Sequence, residues 1–228
     1  MKNSSRTWLE RENADFAASI PPGSIVLDAG AGIQPYRPLL AHCTYEAADF
    51  ELVDKPYAKS TYVCDLSAIP VADERFDAVL FNQVMEHLAD PVSVLAELRR
   101  VMKPGARALC SAPLFYEEHE QPYDFYRYTQ FGWRHLIEMA GFEVERLDWA
   151  EGYFGTVAYQ LETAAKYLPG RKEAAARGIG GFGTGLMLGA AKRGFRLLAN
   201  WFYNLDERGR YTAAGYPKNY VVIIRKPL

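Results

Sequence analysis

Ser24-Ile-Val-Leu-Asp-Ala-Gly-Ala-Gly-Ile-Gln-Pro-Tyr-Arg37 decides the fold. Ile25, Val26 and Leu27 form a short apolar run of the kind buried on both faces in a parallel sheet. The run stops at Asp28 and turns through Gly30 and Gly32, and Pro35 suits the first turn of a following helix. Strand, glycine turn and helix together let a backbone approach a nucleotide closely. A dinucleotide fingerprint needs a third glycine where Pro35 stands, so pyrophosphate binding is a poor fit. The Asp28 carboxylate points the same way, because a negative charge suits a cofactor with a cationic amino-acid end.

Outward from this stretch, helix and strand patterns alternate. Thr7 to Ile20 predict an amphipathic helix closed by Pro21-Pro22-Gly23, packing on a sheet edge. Tyr36 to Ala41 continue as a short helix, and Thr44 to Asp49 as a second strand ending in a carboxylate. Tyr62 to Leu66 predict a third strand, and Phe76 to Phe81 a fourth, apolar enough to be central. Asp90-Pro91 reads as a cap and first helical residue, Val94, Leu95, Leu98, Val101 and Met102 as the buried stripe, and Pro104-Gly105 as the stop. Ala108 to Ala112 and Glu143 to Trp149 are the fifth and sixth strands, separated by a helix over Gln130 to Ala140 that Thr129 caps. Asn219 to Arg225 is a final strand. The alternation predicts an α/β, doubly wound, Rossmann-like sheet with ligands at the carboxyl ends of its strands.

The 228 residues suffice for one sizeable core. With 26 Lys and Arg against 28 Asp and Glu, there is no basic excess of the kind a nucleic-acid partner demands. Cys43, Cys64 and Cys110 are odd in number and widely spaced, giving neither a disulfide framework nor a metal-ligand pattern. No metal is expected, and a reducing, cytoplasmic setting is. The first 19 residues lack the apolar core of a signal peptide.

Asp28-x-Gly30-x-Gly32, Asp49, Val63-Cys-Asp65-Leu66, Phe76-Asp77 and Glu86-His87-Leu88 occur in the order and spacing of class I S-adenosylmethionine-dependent methyltransferases. The chain resembles the type 11 branch of that family from Ile25 to Pro113, and more loosely to Leu147. The resemblance implies a seven-stranded sheet whose last strand inserts antiparallel beside the sixth. It also implies that Asp28, Gly30 and Gly32 lie under the methionine part of the cofactor, and that Asp49 holds the ribose with Phe50 beside the adenine. Asp65 would meet the adenine amino group with Leu66 packing nearby, and Asn82 and Gln83 would close over the cofactor. One departure is Gln34, where many relatives carry a further glycine.

Methyl transfer from a sulfonium is an in-line displacement governed by placement of the acceptor, helped by a base if the acceptor is a hydroxyl. Phe115 to Thr129 combines His119 with acids, Arg127 and aromatics, as an acceptor pocket requires. His119 is the candidate base, and Tyr123, Asp124 and Arg127 are candidate acceptor contacts or locks on the loop. This segment resembles a Pro-Tyr-Asp-Phe-Tyr-Arg-Tyr-Thr signature of bacterial relatives encoded with polysaccharide pathways. His87, in the Glu-His-Leu motif, is read as scaffolding.

Residues 152–217 form a mostly helical insertion in a single methyltransferase domain. Within it, Gly178 to Ala191 is uncharged, and Leu188, Ala191, Phe195, Leu198, Phe202 and Leu205 fall at helical spacing. Lys192, Arg193 and Arg196 lie around that stripe, with Arg171, Lys172 and Arg177 upstream. Residues 178–205 thus read as a packed helical pair, a homodimer contact, or a peripheral contact at the inner face of a membrane. The expected acceptor is a small molecule or a lipid-linked glycan, methylated on oxygen. A quinone-like acceptor, a nicotinamide-dependent enzyme and a non-catalytic cofactor binder are the alternatives.

Overall fold

The computed structural model describes residues 4–170, 173, 182–209 and 216–228. One compact unit holds residues 8–150 and 219–228, and a second holds residues 1–7 and 151–218.

The first unit is a seven-stranded sheet of order β3-β2-β1-β4-β5-β7-β6. Its strands are β1 (Ile25–Ala29), β2 (Thr44–Asp49), β3 (Tyr62–Val63), β4 (Phe76–Asn82), β5 (Met102–Pro113), β6 (Glu143–Trp149) and β7 (Asn219–Arg225). β1 to β5 run parallel, while β7 lies antiparallel between β5 and β6. The fold is therefore the expected α/β class, with its last strand reversed.

Strand alternation feeds two cores. Leu27, Val79 and Phe81 turn to one face, under Leu95 and Leu98 of α2 (Pro91–Val101) and Trp133 and Ile137 of α3 (Gln130–Met139). Val26, Leu80, Leu109 and Val221 turn to the other, under Trp8, Phe16 and Ile20 at α1 (Ser4–Ala18). Burial on both faces explains the continuous apolar runs of β1 and β4. The leading helix thus packs on a face over the central strands, and not on an edge. Its apolar side chains find more area there than an edge strand offers.

Three boundaries depart from the sequence reading. α2 stops at Val101, and Met102 is already extended, so Pro104 and Gly105 lie inside β5. Pairing with β4 slips there, from Phe76 opposite Met102 to Ala78 opposite Arg107. Such a bulge accommodates a proline without an N–H and a glycine at φ +78°. β3 ends at Val63 because Asp65 Oδ1 accepts bonds from the backbone N and Oγ of Ser67, turning the chain. The helix expected over Tyr36 to Ala41 is a 3₁₀ turn, Arg37–Leu40. Both predicted caps are present: Asp90 accepts from Ser93 N, and Thr129 from Gly132 N.

In the second unit, α4 (Tyr153–Tyr167) packs on α5 (Phe182–Gly209). Phe154 stacks on Phe202 at 5.2 Å, and Ala158, Ala199 and Tyr203 are buried together. Tyr203 OH donates to Glu162 at 2.9 Å, and Gly152 N donates to the buried Asp206 at 2.9 Å. Of the predicted stripe, Leu188, Ala191, Phe195, Phe202 and Leu205 are half-buried, while Leu198 is exposed. Leu186, Met187, Leu197 and Trp201 form a further, exposed apolar flank. Arg171, Lys172, Arg177 and the start of the uncharged run lie outside the described residues. Among the described residues no helix is long and apolar enough to cross a membrane.

Candidate functional site

At the carboxyl ends of β1, β2 and β4 lies a cavity of about 640 Å³. Gly30, Asp49, Phe50, Asp65 and Leu66 line it, as do His87, Glu120, Tyr123 and Phe125 from the loops after β4 and β5.

The glycine turn and the acid of β2 are built as one piece. Gly30 (φ +76°) donates its N–H to the Ala48 carbonyl at 2.8 Å. Gly32 (φ +51°) donates to Asp49 Oδ2 at 2.8 Å, while Asp49 Oδ1 accepts from Glu51 N at 3.1 Å. Positive φ at both positions is why glycine stands there. Each Asp49 oxygen keeps a lone pair beyond the one its backbone donor uses, so the carboxylate can still accept from a ligand hydroxyl.

Asp28 is buried one step back, outside the cavity lining, and accepts from Tyr45 OH at 2.6 Å. Burial pushes its carboxyl up to about 6; the Tyr45 bond opposes this and the Asp49 charge adds to it. Asn82 and Gln83 also stand outside the lining. Asn82 pairs with Asn13 (2.9 Å) and accepts from Ser111 Oγ (3.0 Å), and Gln83, at φ +56°, donates to Ser111 Oγ (3.2 Å). These two side chains fasten the end of β4 to α1 and β5.

The loop after β5 is locked onto the loop after β4. Phe125 N donates to the Glu86 carbonyl at 2.8 Å, Tyr128 OH to the Met85 carbonyl at 3.0 Å, and His87 Nδ1 to the Tyr123 carbonyl at 2.5 Å. Arg127 grips Asp124 with two bonds of 2.6 and 2.8 Å, and Asp124 accepts from His119 N at 2.9 Å. Arg127 holds the Asp124 carboxyl down to about 2. Asp124 and Arg127 therefore brace the loop away from the cavity, and Tyr123 alone of the three expected acceptor contacts reaches it. Its ring meets Phe50 edge-on at 5.4 Å. His119 lies outside the lining, its ring 4.7 Å from that of His87. Burial of His87 pushes its imidazole below the ordinary value, and burial of Glu86 pushes its carboxyl up to about 8.

Sequence reasoning missed Lys55 and Glu120. They join the loop after β2 to the loop after β5 through a 2.6 Å ion pair at the cavity. Sixty-five residues separate them, and nothing local marks either one.

Residues 27–110 match the methyltransferase domain family. That match runs from β1 into β5. A ubiquinone/menaquinone biosynthesis C-methyltransferase of Desulfotalea psychrophila is 48% identical over 48 residues, covering 21% of this chain and 20% of that one. Its counterpart in Burkholderia mallei is 26% identical over 132 residues, covering 51% of this chain and 54% of that one. The chain thus spans about half or less of the length of these relatives. A solved 1,6-didemethyltoxoflavin-N1-methyltransferase of Burkholderia thailandensis, with 1,6-didemethyltoxoflavin and S-adenosylhomocysteine bound, matches with a TM-score of 0.56 at 16% identity. That match covers 99% of this chain and 79% of the other. At this identity the likeness is one of fold, and the methyltransferase fold explains why the cavity sits where β1, β2 and β4 end.

Proposed function

We propose that the chain transfers a methyl group from S-adenosylmethionine to a small, flat, quinone-like acceptor. The Asp49 carboxylate carries the reading: it is tied to the glycine turn by Gly32 and lines the cavity with acceptor capacity to spare. In this reading Asp49 takes the ribose hydroxyls, Phe50 and Leu66 flank the adenine, and Asp65 meets its amino group. Asp28 and the turn at Gly30 and Gly32 supply the negative field for the cationic methionine end. Asn82 and Gln83 hold the floor beneath it.

Support for the acceptor class comes from the aromatic residues Tyr123 and Phe125 in the cavity wall, and from the ubiquinone/menaquinone relatives. The lipid-linked glycan acceptor of polysaccharide-pathway relatives is the competing class. Calorimetric titration with S-adenosylmethionine and with nicotinamide dinucleotides tests the cofactor. Turnover on a panel of hydroquinones, sugars and glycolipids then tests the acceptor. Binding of the dinucleotide alone, or turnover of glycans alone, overturns the corresponding half of the reading.

A pH dependence follows from Asp28. Its carboxyl, raised to about 6, is ionised at pH 7.5 and protonated below pH 6. A cationic ligand favours the ionised form, so affinity for S-adenosylmethionine should fall as pH drops through about 6. In Asp28→Asn that inflection should be absent. The same inflection in the variant assigns the titration to another group.

Residues 152–217 are, in this reading, an insertion within one domain, and α5 brings the enzyme to lipid. The exposed flank of Leu186, Met187, Leu197 and Trp201 runs beside the exposed Arg193 and Arg196, a combination suited to an anionic surface. The native chain should sediment with anionic vesicles and less so with neutral ones. Release should follow in 1 M salt, where the Debye length is about 3 Å. Leu197→Glu with Trp201→Glu should stay in the supernatant. A native chain that never sediments, or a dimer that the double variant dissociates, overturns the lipid contact.

A further inference from the structure

We propose that Glu86, His87 and His119 form a binding site for a divalent first-row transition metal, Zn²⁺ foremost, beside the cavity. One ligand atom from each of the three lies within 4.8 Å of the others, and His87 Nε2 stands 3.8 Å from Glu86 Oε1. Donors around a tetrahedral zinc, at about 2.0–2.1 Å from the metal, are roughly 3.4 Å apart. The cluster is therefore a small side-chain movement from coordination. Two imidazoles and a carboxylate are the donor set of an open, catalytic type of site, with a fourth position left for water or substrate.

The independent observation is Glu86 itself. Its side chain is fully buried, and among the described residues neither carboxylate oxygen has a hydrogen-bond partner. The nearby cations are committed elsewhere: Arg127 grips Asp124 in two bonds, and Lys55 pairs with Glu120. An unsatisfied carboxyl in an apolar core costs free energy unless something compensates it, and a cation between Glu86 and the two imidazoles would do so. The imidazoles are already oriented as metal ligands usually are. His87 Nδ1 is fixed 2.5 Å from the Tyr123 carbonyl, and His119 Nδ1 lies 3.2 Å from the Glu117 carbonyl. One nitrogen of each ring is thus anchored to the backbone, and His87 Nε2 faces the carboxylates of Glu86 and Glu120. Glu120 Oε2, 3.9 Å from His87 Nε2, is in place to bind the metal-bound water. His87 and Glu120 both line the cavity, while Glu86 and His119 stand outside its lining, so the site meets the cavity at His87.

On the proposed methyl-transfer reading, on which only this catalytic meaning rests, the ion acts as a Lewis acid. It takes up a phenolic acceptor as its oxyanion and releases the proton to solvent, so that no side chain need serve as base.

The test is calorimetric titration of chelator-treated full-length protein with Zn²⁺, with Co²⁺ in parallel for its visible absorption bands. One equivalent should bind to the native chain, and His119→Ala and Glu86→Gln should each weaken binding at least tenfold and alter the cobalt spectrum. His119 is on the outer loop, so its variant keeps the fold and decides the matter even where Glu86→Gln does not. Absence of binding by the native chain, or equal binding by folded His119→Ala with an unchanged cobalt spectrum, overturns the site. S-adenosylmethionine titrated into the zinc-free protein is read separately. Zinc binding without cofactor binding leaves the metal site standing and removes the methyl-transfer reading; cofactor binding without zinc binding does the reverse.

Discussion

Gly30→Ala should lower the stability of the sheet unit by about 2–5 kcal/mol, from left-handed backbone strain of roughly 1–2 kcal/mol plus crowding of roughly 1–3 kcal/mol. The backbone there stands at φ +76°, and a Cβ would collide with Cγ2 of Val84 and lie 3.0 Å from its Cγ1. Against a typical total of about 5–15 kcal/mol this is a large fraction. The melting temperature should fall by roughly 5–15 °C. Gly32 separates the two causes. It also has positive φ, but none of the described residues lies within 4 Å of a Cβ placed on it. Gly32→Ala should therefore show only the backbone part, near 1 kcal/mol. Adding Val84→Ala to Gly30→Ala should recover part of the loss, because the two side chains share one space. Thermal unfolding of the four proteins checks this, and a Gly30→Ala melting point within 2 °C of the native one contradicts it.

The second large effect is on binding. Asp49→Ala removes the acceptor for the proposed ribose hydroxyls and for Gly32 N, 2.8 Å away. Loss of a charge-assisted bond costs about 1.5–3 kcal/mol, so affinity for S-adenosylmethionine should fall roughly 10- to 150-fold. Asp49→Asn, which keeps one acceptor oxygen, should fall in between. Far-UV circular dichroism should be unchanged, since among the described residues the Asp49 carboxylate accepts from turn amides. An affinity equal to that of the native chain removes Asp49 from the site.

Strands β1, β4 and β7 were legible because each carries a local apolar run, and β2 because a short strand pattern ends in the acid Asp49. The caps Asp90 and Thr129 were legible because a cap acts within three residues. What the sequence hid is what long-range pairing decides. Pro104-Gly105 looks like a helix stop, yet the helix has already ended and the pair sits in a bulge set by β4. The apolar residues of α1 announce a buried face but not which part of the sheet they cover. In α5 the stripe from Leu188 to Leu205 is largely half-buried, and the exposed flank through Leu186 and Trp201 is interleaved with it. Helical spacing alone does not distinguish two such flanks.

The site divides in the same way. Gly30, Asp49, Phe50, Asp65 and Leu66 follow strand ends, so a motif read along the chain already places them on one cavity. His119, Asp124 and Arg127 belong to a loop whose course depends on contacts with Met85, Glu86 and His87. A histidine among acids suggests a base, whereas the folded loop sets His119 against the ring of His87 and spends Asp124 on Arg127. Glu86 and His119 are separated by 33 positions, and only the fold brings them together beside His87.

The most direct measurement is a crystal structure of the chain with S-adenosylhomocysteine at saturating concentration. The nucleoside should lie in the cavity, with its ribose hydroxyls on the Asp49 carboxylate, its adenine beside Phe50 and Leu66, and its amino-acid end over the turn at Gly30 and Gly32. A ligand seated elsewhere, or one in the cavity that makes no contact with Asp49, would contradict this placement.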